Sequence, residues 1–323
     1  MYKIRNLIAI KSVKGVGRTI MRKLSLDKIE SIKTAPELSD YITYMHDNLS
    51  KRITTVDIDT ANILLNKADD IIYKSEKEEI HIFTIYDNNY PKNFINASDP
   101  PIIFYAKGNY EVLNHNCISM VGTREASNTG CLYGKTLSMR LAERGYVIVS
   151  GLALGCDTVA HLGCVEIKKP TVAILAHGLD IVYPKQNYDL SNKIIATGGC
   201  LISEYPIGTP LSKYSLVERD RLQSYLSNGL IVIETGVKGG TLHAFNTAIK
   251  ENKVVACIGY KENHYEQYIH SMGNKKFIED GIAMKIDSPE AIDRFLEKSF
   301  NTDLLNNDSD TIMNSNYVEQ TLF

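Results

Sequence analysis

The sequence predicts an α/β fold, a doubly wound, mostly parallel Rossmann-like sheet with a small N-terminal helical domain ahead of it. Apolar runs of strand length recur at CISMV (117–121), YVIVS (146–150), TVAILA (171–176), CLIS (200–203), LIVIE (230–234) and VVACI (254–258). Runs apolar on both faces belong to strands covered on both sides, as in parallel sheets. Helix-length amphipathic stretches separate most of them. Tyr133, Leu137 and Leu141 fall at i, i+4, i+8, which predicts one buried helical stripe. Short glycine-bearing loops follow several strands, where such a sheet binds its ligands.

Residues 1–79 read as the helical cap. LIAI and IMRKL flank Lys14-Gly15-Val16-Gly17, and apolar positions recur at helical spacing through YITYMHDNL and IDTANILLNKADDIIYK. A Gly-x-Gly between two helices suits a helix-hairpin-helix or SAM-like turn, because glycine adopts positive φ at no steric cost. The main domain is placed at 80–298. Its first part, to Lys107, alternates β-type runs with Pro91 and Pro100-Pro101, a lead-in region that cannot continue a helix. The regular sheet opens at Cys117, and MKI (284–286) with the helical pattern SPEAIDRFLEK (288–298) completes it. Residues 299–323 are expected to form a disordered acidic tail.

At 323 residues, with 44% hydrophobic and 23% charged, the chain has the balance of a globular protein with a sizeable core. The start MYKIRNLIAIKSVKG lacks an apolar signal core, and no run nears the roughly 18 apolar residues that cross a bilayer. A cytoplasmic protein with no membrane role is expected. The six cysteines form no CxxC pair and read as buried small hydrophobes. A net charge of −2 gives no global argument for nucleic acid. Asp303, Asp308, Asp310 and Glu319 carry −4 of it in a tail without Lys or Arg, which leaves +2 for the first 300 residues. Any basic site is therefore local.

The loops carry the chemistry. The first strand runs into Gly122-Thr123-Arg124, the second ends at Ser150 and continues Gly151-x-x-x-Gly155, and the fifth leads to Lys238-Gly239-Gly240-Thr241. Each is short and precedes a helix, whose N-terminal N–H groups favour anions. Loops of this kind on the same sheet edge predict a phosphate-bearing ligand. GxxxxGK[ST] is absent, and Gly151-x-x-x-Gly155 lacks the GxGxxG order with its following acid, which argues against P-loop NTPases and dehydrogenases.

VGTREAS (121–127), VIVSGLALGCDTVAH (147–161), GLDIVYPKQN (178–187), LISEYPIGTP (201–210) and ERDRLQSYLS (218–227) resemble, in order and spacing, the signature segments of the DprA/Smf family. The resemblance covers about 80–298. It implies a single-stranded DNA-binding protein, homodimeric, that protects incoming DNA and loads a RecA-type recombinase in natural transformation. It assigns no cofactor, metal or catalytic residue. By position it places DNA or phosphate contacts at Gly122, Thr123, Arg124, Ser150, Gly151, Gly155, Lys185, Lys213, Arg219, Arg221, Lys238, Gly239, Gly240 and Thr241, with Arg124 foremost because a guanidinium forks onto phosphate. Arg219 and Arg221 would point to different helix faces, so that one binds phosphate while the other pairs with Glu218 or Asp220. Asp157 and His161 read as a helix cap and a structural histidine, and Glu204 as the partner of a basic neighbour.

Two segments depart from the family text. ERDRLQSYLS stands where RRNRIIAGLS is usual, and Gly239-Gly240-Thr241-Leu242-His243-Ala244-Phe245 replaces Ser-Gly-Ser/Thr-Leu-x-Thr-Ala. Glu218 and Asp220 are expected to weaken the cationic surface, and the tail to leave no room for the winged helix that many members carry. Two other readings stay open: a Rossmann-like sensor or hydrolase of a small nucleotide, for which Gly239-Gly240-Thr241 keeps part of a PGGxGT pattern, and a divergent relative acting in defence against foreign DNA.

Overall fold

A computed structural model describes residues 2–301. Five helices come first: α1 (Tyr2–Lys11), α2 (Arg18–Met21), α3 (Leu26–Ser31), α4 (Ala35–Asn48) and α5 (Ile58–Lys77). Thr34 caps α4 through a capping box with Glu37, and the Asp57 side chain accepts from Thr60 N to start α5. Gly15 sits in the predicted turn at φ +91°, where a Cβ would lie 2.0 Å from the Arg52 carbonyl oxygen, so only glycine fits.

The remaining chain alternates β1 (Ile80–Thr84), α6 (Lys92–Ile95), β2 (Ile103–Gly108), β3 (Cys117–Val121), α7 (Asn128–Glu143), β4 (Val147–Ser150), α8 (Cys156–Glu166), β5 (Thr171–Leu175) and α9 (Tyr188–Ala196). It continues through β6 (Cys200–Ser203), α10 (Lys213–Leu226), β7 (Gly229–Val232), α11 (Thr241–Lys250), β8 (Val254–Ile258), α12 (Glu262–Gln267), α13 (Met272–Glu279), β9 (Met284–Ile286) and α14 (Pro289–Phe300). All nine strands form one sheet in the order β1-β2-β6-β5-β4-β3-β7-β8-β9. From β6 to β9 every neighbouring pair is parallel, while β1 and β2 join antiparallel at the β6 edge. The lead-in region is thus part of the sheet itself. The winding starts at β3, proceeds to β6 on one side, then crosses back to β7 on the other, so the switch point lies beside β3.

Helices cover both faces, and β3 to β7 are buried at every position, as their apolar runs require. Helices α1 to α5 pack on the sheet, since Leu7, Ile42 and Leu65 share one apolar cluster with Leu175 and Leu201. The expected α7 stripe is only partly buried. Leu137 and Leu141 are, but Tyr133 is 43% exposed and its ring stacks on Tyr260 at 5.7 Å. The cysteines are all free, and five are buried while Cys131 is half-buried. Burial pushes the Cys117 and Cys164 thiols up to about 12, which fits packing groups better than nucleophiles. No helix among the described residues is long and apolar enough to cross a membrane. The expected acidic tail lies outside the described residues from 302 on, and its first residues, 299 and 300, belong to α14.

Candidate functional site

Strands β4, β3 and β7 lie side by side and parallel, so the loops leaving them meet at one edge. They are tied together through the backbone. Thr123 N donates to the Glu234 carbonyl at 2.7 Å, and Cys156 N donates to the Thr123 carbonyl at 3.1 Å. A Cβ on Gly122 would fall 2.4 Å from Cys156 Sγ and 2.7 Å from Glu234 O, so this glycine lets the first loop pass between the other two. Gly155 has φ +75° beside the carbonyls of Thr123 and Arg124.

The loops surround a cavity of about 450 Å³ at the switch point. Of the residues expected to bind phosphate, Gly122, Thr123, Arg124, Lys213, Arg219, Lys238, Gly239, Gly240 and Thr241 line it. Gly151 lines a second, smaller cavity of about 100 Å³. Arg124, Lys213 and Lys238 are exposed and form no ion pair among the described residues. Lys213 opens α10, whose Ser212 cap accepts from Ser215 N at 2.9 Å. His243, in the first turn of α11, and His270 also face the large cavity.

The other expected contacts sit differently. The buried Ser150 hydroxyl donates to the Met120 carbonyl at 2.7 Å, so it is engaged inside the sheet. Gly155 serves the loop turn, and Lys185, although exposed, lines neither cavity. Arg219 is only 5% exposed and donates to the carbonyls of Gly151 (2.7 Å) and Ile174 (2.6 Å). It pairs with Asp220 at 2.9 Å and fills the space beside Gly151, where a Cβ would meet its guanidinium at 1.8 Å. Arg219 therefore forms a rigid wall of the cleft. Arg221 points elsewhere, to Glu204 at 2.5 Å with Asp99 and Glu218 within 4.0 Å, and lies outside the cleft. Glu204 thus pairs with a basic neighbour, as its place in the sequence led us to expect.

Two acids stand at the cleft among these cations. Asp157 is buried in the first turn of α8 and accepts from Ala153 N at 3.3 Å, and burial raises its pKa. Asp220 is pushed up to about 6, first by burial and then by Asp157, against the opposing pull of Arg219. His161 is fully buried with Nδ1 2.8 Å from Thr171 Oγ1, and burial drives its pKa down to about 3. It is a neutral packing group with no access to the cleft.

The residue pattern alone did not reveal the posts that hold this edge in shape. Glu234, with no exposed surface, accepts from Ser127 N (2.8 Å) and Ser127 Oγ (2.6 Å), and meets His264 Nε2 at 2.9 Å. Gly130 leaves room for that carboxylate, which a Cβ would approach to 2.3 Å. Asn274 accepts from Thr235 N and donates to the carbonyls of Ile233 and Ile258, which anchors the third loop. The acid that closes the apolar run LIVIE (230–234) was its one mark in the sequence.

Fold and site together define a doubly wound Rossmann-like protein with a cation-lined cleft at its switch point. The chain belongs to the family described as DNA recombination-mediator protein A, which matches residues 81–297. It is 30% identical over 180 residues to Protein Smf of Escherichia coli, a match covering 56% of this chain and 48% of that one. Against the DNA processing protein DprA of Streptococcus pneumoniae it is 33% identical over 190 residues, covering 59% and 67%. The chain therefore spans about half the length of the E. coli relative. Among solved structures, DprA from S. pneumoniae aligns with TM-score 0.70 at 25% identity over 91% of this chain and 95% of that one. A Helicobacter pylori DprA, whose structure is described as giving insight into its single-stranded DNA binding mode, aligns with TM-score 0.60 at 28% identity over 68% and 98%.

Proposed function

We propose that the chain binds single-stranded DNA by its phosphate backbone across the large cleft, with residues 80–298 as the DNA-binding domain and 1–79 as a cap. The observation that carries this reading is the set of exposed, unpaired cations Arg124, Lys213 and Lys238 around glycine-bearing loops at the switch point. Cations already satisfied by carboxylates have little left to offer a phosphate, whereas free ones exchange condensed counterions for it. The likeness to the H. pylori protein supports DNA as the source of that phosphate. Gly122, Thr123, Gly151, Gly155, Gly239, Gly240 and Thr241 shape the loops. Arg219 and Ser150 hold them in place.

In this reading the protein works in the cytoplasm as a homodimer, without turnover, protecting incoming DNA and handing it to a RecA-type recombinase. A salt titration on oligo-dT tests the binding. Three phosphate contacts give a slope of about −2 in log affinity against log salt. No binding at low salt overturns the reading. Release of ribose or base from nucleoside monophosphates would instead favour a nucleotide hydrolase, and none is expected. Sedimentation of the free protein and co-purification with a recombinase check the dimer and the partner.

A further inference from the structure

Basic residues are concentrated at the start of the cap. Residues 1–33 hold nine Lys and Arg against only Asp27 and Glu30, although the whole chain carries −2. Four of the nine are engaged elsewhere. Lys3 pairs with Asp87, Lys11 donates to the Glu204 carbonyl, Arg18 pairs with Asp99 and Glu218, and Arg22 pairs with Asp99. Of the rest, Lys14 in the hairpin between α1 and α2 and Lys23 just after α2 are exposed and form no ion pair among the described residues. The loop after α4 adds a third such cation. Thr54 N donates to the Lys14 carbonyl at 2.9 Å and Gly15 packs against the Arg52 carbonyl, so the exposed Arg52 stands beside the hairpin. In that loop Lys51 already occupies Asp47.

This surface adjoins the cleft through α10. Lys213, Leu216 and Val217 of that helix line the cleft, and the next residue, Glu218, holds Arg18 of the cap. Lys213 and Glu218 are about 8 Å apart along the helix axis. The four residues from Lys14 to Arg18 span at most about 14 Å.

We propose that the outer face of the hairpin, with Lys14, Lys23 and Arg52, is a second backbone contact for single-stranded DNA, engaged only by strands long enough to leave the cleft along α10. The inference rests on the single-stranded DNA reading above and extends the binding surface from the sheet domain to the cap. Free cations exchange condensed counterions for phosphates, and contact of this kind follows the backbone with no demand on sequence. The seam beneath has a different task. Its carboxylates neutralise Arg18 and Arg22 and fasten the hairpin to α10.

The test is fluorescence anisotropy with oligo-dT of two lengths, about 6 nucleotides to occupy the cleft alone and about 25 to reach the cap. The longer strand should bind more tightly than its extra binding registers account for, with a salt slope steeper by about 2 for three further contacts. In Lys14→Glu/Lys23→Glu the long strand should bind about tenfold or more weakly, with the short strand unchanged. Lys74→Glu/Lys77→Glu makes the same change of charge in the last turn of α5, about 24 Å or more along that helix from its start near Arg52, and should leave both lengths unaffected. If the hairpin variant lacks a cooperative thermal transition, Arg52→Gln should give a smaller loss, again on the long strand alone. Equal long-strand affinity in the wild type and the hairpin variant, or an equal loss in the α5 variant, overturns the second contact. Arg124→Ala separates that result from failure of the cleft itself, because it should weaken both lengths. Binding of neither length by the wild-type protein removes both readings.

Discussion

Arg219 and Arg221 stand two residues apart on α10, yet they belong to different parts of the molecule. Arg219 faces the cleft, where Arg124, Lys213 and Lys238 have no acidic partner among the described residues. Arg221 faces a seam between the N-terminal helices and the sheet. There Arg18 pairs with Glu218 and Asp99, Arg22 with Asp99, and Arg221 with Glu204, while Lys11 donates to the Glu204 carbonyl at 3.1 Å. Both regions are rich in basic residues, and only one offers them to a ligand. The contrast also divides the two departures on α10. Glu218 turns into the seam, where it costs the cleft nothing, whereas Asp220 remains at the cleft. The expected weakening of the cationic surface therefore falls on Asp220 alone.

The largest effect that would break this comparison is on stability. Arg221→Ala leaves Glu204 buried without its partner, and removal of one member of a buried pair costs about 3–5 kcal/mol. Urea denaturation should show that loss. Arg124→Ala, at an exposed and unpaired position, should change stability by less than about 0.5 kcal/mol. Equal losses would erase the distinction between seam and cleft. Binding should reverse the order. Arg124→Ala removes a charge-assisted contact and should weaken oligo-dT binding about tenfold or more, alike for all sequences and with a shallower salt slope. Glu218→Gln, in the seam, should leave affinity unchanged in the same assay.

The fold was legible where one residue type repeats along one segment. The runs 117–121, 200–203 and 254–258 are strands to the residue, because a strand covered on both faces has to be apolar almost throughout, and 284–286 is a strand too, though at the sheet edge its Lys285 is exposed. The run at 230–234 overshoots, since the β7 ladder ends at Val232 and Ile233 and Glu234 already belong to the loop's supports. At the site, glycine marked the loops because close packing of three backbones excludes a Cβ, as at Gly122. Which cations are free was not legible. The spacing of Arg219 and Arg221 separated their faces, but Glu204 and Asp99, which decide the fate of Arg221, lie on other segments. His264 beside Glu234 was hidden for the same reason, since a lone histidine shows nothing of its partners.

The finest probe of the contrast is Asp220 itself. Its pKa is raised to about 6, so the folded state favours the protonated acid more than the unfolded chain does. The resulting stabilisation is complete below the ordinary carboxylate range near 4 and is lost as pH rises through about 6. Asp220→Asn should match the wild type in stability near pH 4 and exceed it above pH 6. The same titration acts on the ligand. An ionised carboxylate beside a phosphate track repels it, and at cleft distances in water that repulsion is worth about threefold in affinity. Wild-type binding to oligo-dT should tighten on acidification from about pH 7 to 5, whereas Asp220→Asn should be tighter at pH 7 and flatter with pH. An Asp220→Asn protein no tighter than wild type at pH 7 would mean that Arg219 already neutralises this acid, and that the cleft is as cationic as its exposed residues alone make it.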